Sequence, residues 1–336
     1  MHAMLGGDIA PDPTSSGHPD RPVQAPALLP VALPWRDVFW VRWGLPDRGI
    51  RQAGPRGIQD HHTQGLMKKV IVTGPFDQLD CRQVRFLQEA NRLGDVTVLL
   101  WSDASISAIT GTPSQFPQDE RRYVLERIRY VRQVVIVDAP QQPHHLPGMR
   151  GIEAQIWAVE EADDHPEKHQ FCMNNGLELA VIRRDQLSGL PLPPTTASSG
   201  RPKVVVTGCY DWLHSGHVRF FEEASGYGDL YVVVGSDANV RRLKGPGHPL
   251  FPQEQRQYMV SAIRYVKQAL ISTGSGWLDA DPQIRQIRPD IYIVNEDGDR
   301  GGKRQYCQEL GIRYLVLQRV PAPGLPRRTS TQLRGF

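Results

Sequence analysis

The chain repeats itself, and this constrains its fold more than any single motif. Lys69-Val-Ile-Val-Thr-Gly-Pro-Phe-Asp77 aligns with Lys203-Val-Val-Val-Thr-Gly-Cys-Tyr-Asp211, and Val84-Arg-Phe-Leu87 with Val218-Arg-Phe-Phe221. Ser102-Asp-Ala104 returns as Ser236-Asp-Ala238, Phe116-Pro-Gln118 as Phe251-Pro-Gln253, and Ile128-Arg-Tyr-Val131 as Ile263-Arg-Tyr-Val266. Matches in this order describe two copies of one domain, each large enough to bury its own core.

The second copy shows the architecture most openly. Lys203 to Thr207 is short and β-branched, as a buried strand is, and Gly216 to Ser225 places Val218, Phe221 and Ala224 at helical spacing. Further strands are predicted over 230–235, 269–272, 291–294 and 313–317, with helices from Gln253 and over 279–286 and 303–310. This alternation predicts two tandem Rossmann-like α/β domains, each a right-handed, doubly wound parallel sheet whose ligands bind beyond the carboxyl ends of the strands.

The domains are expected at 67–186 and 203–336, joined by a semi-rigid linker at 187–202 rich in Pro, Ser and Thr. Residues 1–66 scatter Pro, Gly and His without a periodic apolar face and are expected to be disordered. Ala25 to Trp35 is apolar but broken by prolines, which supports neither a signal peptide nor a membrane span. Met67-Lys-Lys-Val-Ile-Val is a natural beginning for the first domain.

A hydrophobic fraction of 40%, a charged fraction of 22% and a net charge of +3 describe a soluble protein with too small a basic excess to argue for nucleic acid. Cys81, Cys172, Cys209 and Cys307 have neither C-x-x-C nor zinc-ligand spacing, which points to a reducing, cytoplasmic location. Cys209 reads as a small apolar filler beside the loop described next.

The chemistry concentrates in Thr207-Gly-Cys-Tyr-Asp-Trp-Leu-His-Ser-Gly-His217. His214 and His217, at i and i+3, share one face of the first turn of a helix, where unpaired N–H groups and the helix dipole favour an anion. Gly216 between them allows a phosphate close to the backbone. Downstream lie a basic turn, Arg241-Arg242-Leu-Lys244, and a closing segment with Arg319 and Arg328-Thr329-Ser330-Thr331.

From Lys203 to Leu333 this ordered set resembles the cytidylyltransferase-like nucleotidyltransferases, marked by H-x-G-H after the first strand and a Ser/Thr-rich segment near the end. The resemblance implies transfer of CMP or AMP from CTP or ATP to a phosphorylated small acceptor, with pyrophosphate released. It also implies Mg²⁺ carried by the triphosphate, with no protein metal site. His214, His217 and Lys244 would then be the catalytic groups. Thr207, Gly208, Cys209, Tyr210, Asp211 and Gly216 would frame the nucleotide, and Asn295 and Asp297 would contact its base or sugar. Arg319, Arg328, Thr329, Ser330 and Thr331 would hold phosphates. Asn295-Glu-Asp297 departs from the Gly-Asp expected there, which leaves the base open.

The Arg-Leu-Lys-Gly-Pro-Gly-His-Pro-Leu turn is similar to that of sugar-phosphate adenylyltransferases. The Ile-Arg-Tyr-Val helix end is similar to that of glycerol-phosphate and ethanolamine-phosphate cytidylyltransferases. Aminoacyl-tRNA synthetases share a histidine signature of this kind, but nothing here resembles their lysine-rich second one. A non-enzymatic nucleotide sensor is the alternative from another class.

In the first copy the positions of His214-Ser-Gly-His217 read Asp80-Cys-Arg-Gln83, Ser105 to Thr112 has no Lys or Arg, and the closing segment reads Leu192-Pro-Pro-Thr-Thr196. It reads as a scaffold that lost its catalysis, or as a pocket turned to another ligand. Tandem copies resemble the ethanolamine-phosphate cytidylyltransferases, although that family's first copy keeps its histidines. Arg256 and Arg264 are expected in a structural ion pair or a subunit contact, with either a homodimer or an internal pseudo-dimer of the copies.

Overall fold

β-branched runs form the central strands. Val70, Ile71 and Val72 in β1 (Lys69–Gly74) and Val204, Val205 and Val206 in β6 (Lys203–Gly208) are wholly buried. A computed structural model describes residues 67–333 apart from 143, 149 and 150, with the side chains of 331 and 332 also excepted. The expectation of disorder over 1–66 lies outside the described residues.

The first copy continues through α1 (Cys81–Leu93), β2 (Asp95–Trp101), α2 (Asp103–Thr110), α3 (Gln118–Glu126), β3 (Gln133–Val137), β4 (Ile156–Glu160), α4 (Pro166–Asn174) and β5 (Glu178–Ile182). After β6 the second copy runs through α5 (Ser215–Ser225), β7 (Asp229–Val234), α6 (Asp237–Lys244), α7 (Gln253–Ser261) and β8 (Val266–Ile271). It then adds α8 (Asp281–Ile287), β9 (Ile291–Asn295), α9 (Lys303–Glu309), β10 (Arg313–Leu317) and α10 (Ser330–Leu333).

Each copy forms a five-stranded sheet, in the orders β3-β2-β1-β4-β5 and β10-β9-β6-β7-β8, with every pairing parallel. The chain therefore builds one side of β6 and returns to build the other, placing a switch point between β6 and β9. Those two strands pair only at Val204 with Ile291 and Val205 with Tyr292, then part towards their carboxyl ends. The crevice this opens is where ligands of such sheets bind.

The basic segment after β7 is a helix rather than the expected turn. Ser236 caps α6, Asp237 complements its amino end, and Gly245 stops it at φ 85°. Its sequence, Asp-Ala-Asn-Val-Arg-Arg-Leu-Lys, has no apolar period to reveal a helix that lies mostly in solvent.

The copies share one hydrophobic core and a pseudo-twofold interface. Ile128 and Ile263 form an antiparallel bridge. The Arg129 amide donates to the Ala262 carbonyl at 2.9 Å and the Arg264 amide to the Arg127 carbonyl at 2.9 Å. The Arg129 guanidinium reaches the carbonyls of Ile263 and Val266, and that of Arg264 reaches those of Ile128 and Val131. The repeated Ile-Arg-Tyr-Val is thus an interface motif, which places Arg264 in a contact between the copies. Arg256 instead ties its own domain together, through Asp237 at 2.7 Å and the Cys209 carbonyl at 2.6 Å, as Arg121 does through Asp103 and the Pro75 carbonyl.

Candidate active site

The turn between β6 and α5 is built around Tyr210, whose backbone sits at φ 51° and whose ring points into the core. A β-carbon on Gly208 would come 2.7 Å from that ring, so glycine is required there. The ring packs edge-on against His217 and Phe221, which makes Tyr210 a support under the histidines and not a wall of the crevice. Phe76 repeats the left-handed turn in the first copy, at φ 44°. Asp211 is buried and accepts the amides of Leu250 and Phe251 at 2.6 and 3.1 Å, as Asp77 accepts those of Gln115 and Phe116. A tie kept in both copies belongs to the fold.

His214 caps α5, its Nδ1 accepting the Gly216 amide at 3.1 Å, so the neutral ring carries its proton on Nε2. A side chain on Gly216 would press within 3.0 Å of that ring, a reason for glycine that the sequence reading did not contain. The His217 ring stacks on His214, centroids 3.9 Å apart. Burial, then the neighbouring His217 and the charges of Arg319 and Arg328, hold His214 far below its ordinary value. Burial, with Arg319 and Lys244, lowers His217 to about 3. Both rings are therefore neutral near pH 7. His214 Nε2 and His217 Nδ1 are buried without a protein hydrogen-bond partner, an arrangement that folded proteins seldom leave without a reason.

Cations and one amide complete the crevice. Asn295, at the end of β9, lines a cavity beside the histidine turn with Gly216, Phe220, Glu223, Arg319, Arg327 and Arg328, a lining that includes neither imidazole, and its Oδ1 is buried without a partner. Arg319 pairs with Asp297 and donates to the Arg328 carbonyl at 2.8 Å. Lys244, exposed at the end of α6, is near enough for its charge to act on His217 and Cys209. Thr207 shares a hydrogen bond of 2.8 Å with the Tyr292 hydroxyl across the switch point. Thr329 and Ser330 stand at the start of α10, and the side chain of Thr331 lies outside the described residues. Burial raises the Cys209 thiol, which keeps it protonated and fits the filler reading. The acids nearby are engaged: Asp297 by Arg319, Asp211 by backbone amides.

The first copy closes the same place against anions. Asp80 accepts the Gln83 amide at 2.8 Å while the Gln83 side chain accepts the Asp80 amide, a reciprocal capping box that satisfies the helix start internally. Arg82 is drawn off to Glu160 at 2.7 Å. Among the described residues one group could hold a metal: His144, His165 and Glu167 of this copy. His165 Nδ1 there accepts the Glu167 amide, which leaves Nε2 protonated and without a lone pair for a metal.

Two residues missed by the sequence reading join the site from the domain interface. Ser215, inside the histidine motif, donates to Glu120 of the first copy, and Glu120 also pairs with Arg328. The available signal was a repeat mismatch, Glu120 against Gln255, within an otherwise matching Phe-Pro-Gln-x-x-Arg.

The model of the family described as Cytidylyltransferase-like matches residues 205–321. FAD synthase of Methanocella paludicola is 33% identical over 135 residues, covering 39% of this chain and 93% of that protein. FAD synthase of Methanospirillum hungatei is 42% identical over 119 residues, covering 34% and 72%. Bifunctional protein HldE of Syntrophotalea carbinolica is 31% identical over 140 residues, but the match spans only 27% of its length and 41% of this chain.

Proposed function

Because the chain belongs to the cytidylyltransferase-like nucleotidyltransferases, we propose that its second domain transfers a nucleoside monophosphate from ATP or CTP to a phosphorylated small molecule. The observation that carries this reading is the pair of neutral, stacked histidines, each with one buried ring nitrogen that has no protein hydrogen-bond partner, beside three cations. A phosphate oxygen of the acceptor attacks the α-phosphorus in line. The new P–O bond forms as the bond from the α-phosphorus to the bridging oxygen breaks, and pyrophosphate leaves with that electron pair. The attacking oxygen is already anionic, so no general base is needed, and catalysis is positioning and charge stabilisation.

The imidazole N–H groups are the natural donors to charge gathering on the α-phosphoryl and leaving oxygens. Lys244, Arg319 and Arg328 neutralise the β- and γ-phosphates, Thr329 and Ser330 offer hydroxyls and N–H groups to them, and Asn295 offers an amide to base or sugar. Magnesium enters with the triphosphate as part of the substrate, since the neighbouring carboxylates are already paired. FAD contains an adenylyl group, so relatives named FAD synthase favour ATP as donor and bring flavin mononucleotide among the candidate acceptors.

The first domain is a partner without nucleotide chemistry of its own, and the chain acts as an internal pseudo-dimer. No helix among the described residues is long and apolar enough to cross a membrane. The four cysteines are free, which fits a reducing compartment such as the cytoplasm.

The test is pyrophosphate release with Mg²⁺, crossing ATP and CTP against flavin mononucleotide, sugar phosphates, glycerol phosphate and phosphoethanolamine, with His217→Ala as control. Release with one pair that is lost in the variant names donor and acceptor. Nucleotide binding with no release from any pair would count for a sensor.

A further inference from the structure

Glu120 belongs to the first domain but lies against the second domain's site. It is 1% exposed, on the face of α3 that packs on α5. Its Oε1 accepts the Ser215 hydroxyl at 2.6 Å. Its Oε2 accepts Arg328 Nη2 and Nε at 2.8 and 3.0 Å, and the guanidinium also lies 5.5 Å over the ring of Phe116 from the same domain. Ser215 stands between the two histidines of the motif, and the Arg328 carbonyl in turn holds Arg319. One carboxylate thus fixes both the histidine turn and the closing arginine.

Burying a carboxylate across a domain interface is costly, and replacing such a pair by apolar groups is often neutral or stabilising. The repeat shows that this contact is not required by the packing. Equivalent interface contacts are kept on both sides: Tyr123 donates to Glu222 at 2.8 Å, and Tyr258 donates to Gln88 at 2.9 Å. Yet the counterpart of Glu120 is Gln255, and the counterparts of Ser215 and Arg328 are Cys81 and Pro193. Carboxylate, hydroxyl and guanidinium occur together only on the side facing the intact histidines.

We propose that Glu120 is a positioning residue for the second domain's reaction, so that the first domain completes the nucleotide site instead of merely supporting it. The inference rests on the nucleotidyl-transfer reading. By gripping Nε and Nη2, Glu120 presets the guanidinium with Nη1 outside the pair, and it anchors the histidine turn through Ser215. The ordering is present before the triphosphate arrives, which lowers the cost of binding it.

The experiment uses the full chain and measures ATP and CTP affinity by calorimetry alongside steady-state pyrophosphate release. Glu120→Gln should weaken triphosphate binding and raise KM about tenfold, the lower end expected for a lost charged hydrogen bond. In the Arg328→Ala background the same change should add nothing. Tyr123→Phe, one turn along the same helix, loses a cross-domain hydrogen bond and should lower the unfolding temperature while leaving affinity and KM unchanged. Wild-type affinity in folded Glu120→Gln, effects that multiply in the double variant, or an equal loss of affinity in Tyr123→Phe would each overturn the proposal. Should Glu120→Gln fail to fold, Glu120→Asp keeps the charge with a shorter reach, and an unchanged KM and affinity there would overturn it equally. If the wild type binds a triphosphate but releases no pyrophosphate, the reaction reading falls while the affinity comparison still decides Glu120. No binding of either triphosphate overturns both.

Discussion

The imidazoles of His214 and His217 lie face to face, 3.9 Å between centroids and 23° from parallel, with His214 capping the helix that carries both. Two rings so close, buried and ringed by Arg319, Arg328 and Lys244, cannot both carry a proton at modest cost. On the proposed reaction, they would act as neutral hydrogen-bond donors.

A pH dependence follows from this. The ordinary histidine value is 6.5, and the folded values lie well below it, so between these limits the unfolded chain binds protons that the folded one does not. Stability is therefore lost as pH falls below about 6.5, by up to about 1.4 kcal/mol per pH unit for His214. Urea unfolding at intervals from pH 5 to 8 should show this slope, and His214→Gln should remove its own share and leave that of His217. Turnover should show no histidine step near pH 6.5. An inflection there that disappears in His217→Gln would contradict neutral donors.

The two copies predict opposite tolerances at one glycine. In Gly208→Ala the new methyl meets the Tyr210 ring at 2.7 Å, whereas in Gly74→Ala it meets Phe76 at an ordinary 3.5 Å. The first should destabilise by about 1–3 kcal/mol, as overpacking does, and the second by well under that. Thermal melts of both variants decide it; equal losses would mean that the aromatic turn does not dictate the glycine.

Asp80 stands where the second copy has His214. Asp80→Ala removes a helix cap and should cost about 1 kcal/mol of stability while pyrophosphate release stays unchanged. Loss of turnover in this variant, with the fold intact, would assign chemistry to the first copy.

How much was legible in the sequence depends on how far apart the interacting residues lie. Strands such as Val204 to Val206 announce themselves through β-branching, and the repeat announces the two five-stranded parallel sheets. The histidine turn was readable because strand, glycine and imidazoles are contiguous. Helix α6 was not, since Arg241, Arg242 and Lys244 line a solvent-facing helix with little apolar face. Tyr210 looked like a nucleotide contact because nothing local reveals a left-handed turn that sends its ring inward. Glu120 was invisible for a different reason: its partner Arg328 is 208 residues away, and only the interface brings them together.

The pseudo-twofold interface predicts paired effects. Arg264 donates to the carbonyls of Ile128 and Val131 and Arg129 to those of Ile263 and Val266, with Arg129 half-buried and Arg264 more exposed. Truncating either removes the guanidinium donor from two carbonyls, of which those of Ile128 and Ile263 keep the amides of Val131 and Val266 at 3.1 and 3.0 Å, at a cost of about 0.5–1.5 kcal/mol. Arg129→Ala and Arg264→Ala should therefore destabilise to a similar degree, measured by urea unfolding. The double variant should lose less than the sum, because the two contacts flank one Ile128–Ile263 bridge and either loss loosens the other. Strictly additive losses would mean that the two halves of the interface act independently, and the copies would then be joined domains without a shared cooperative seam.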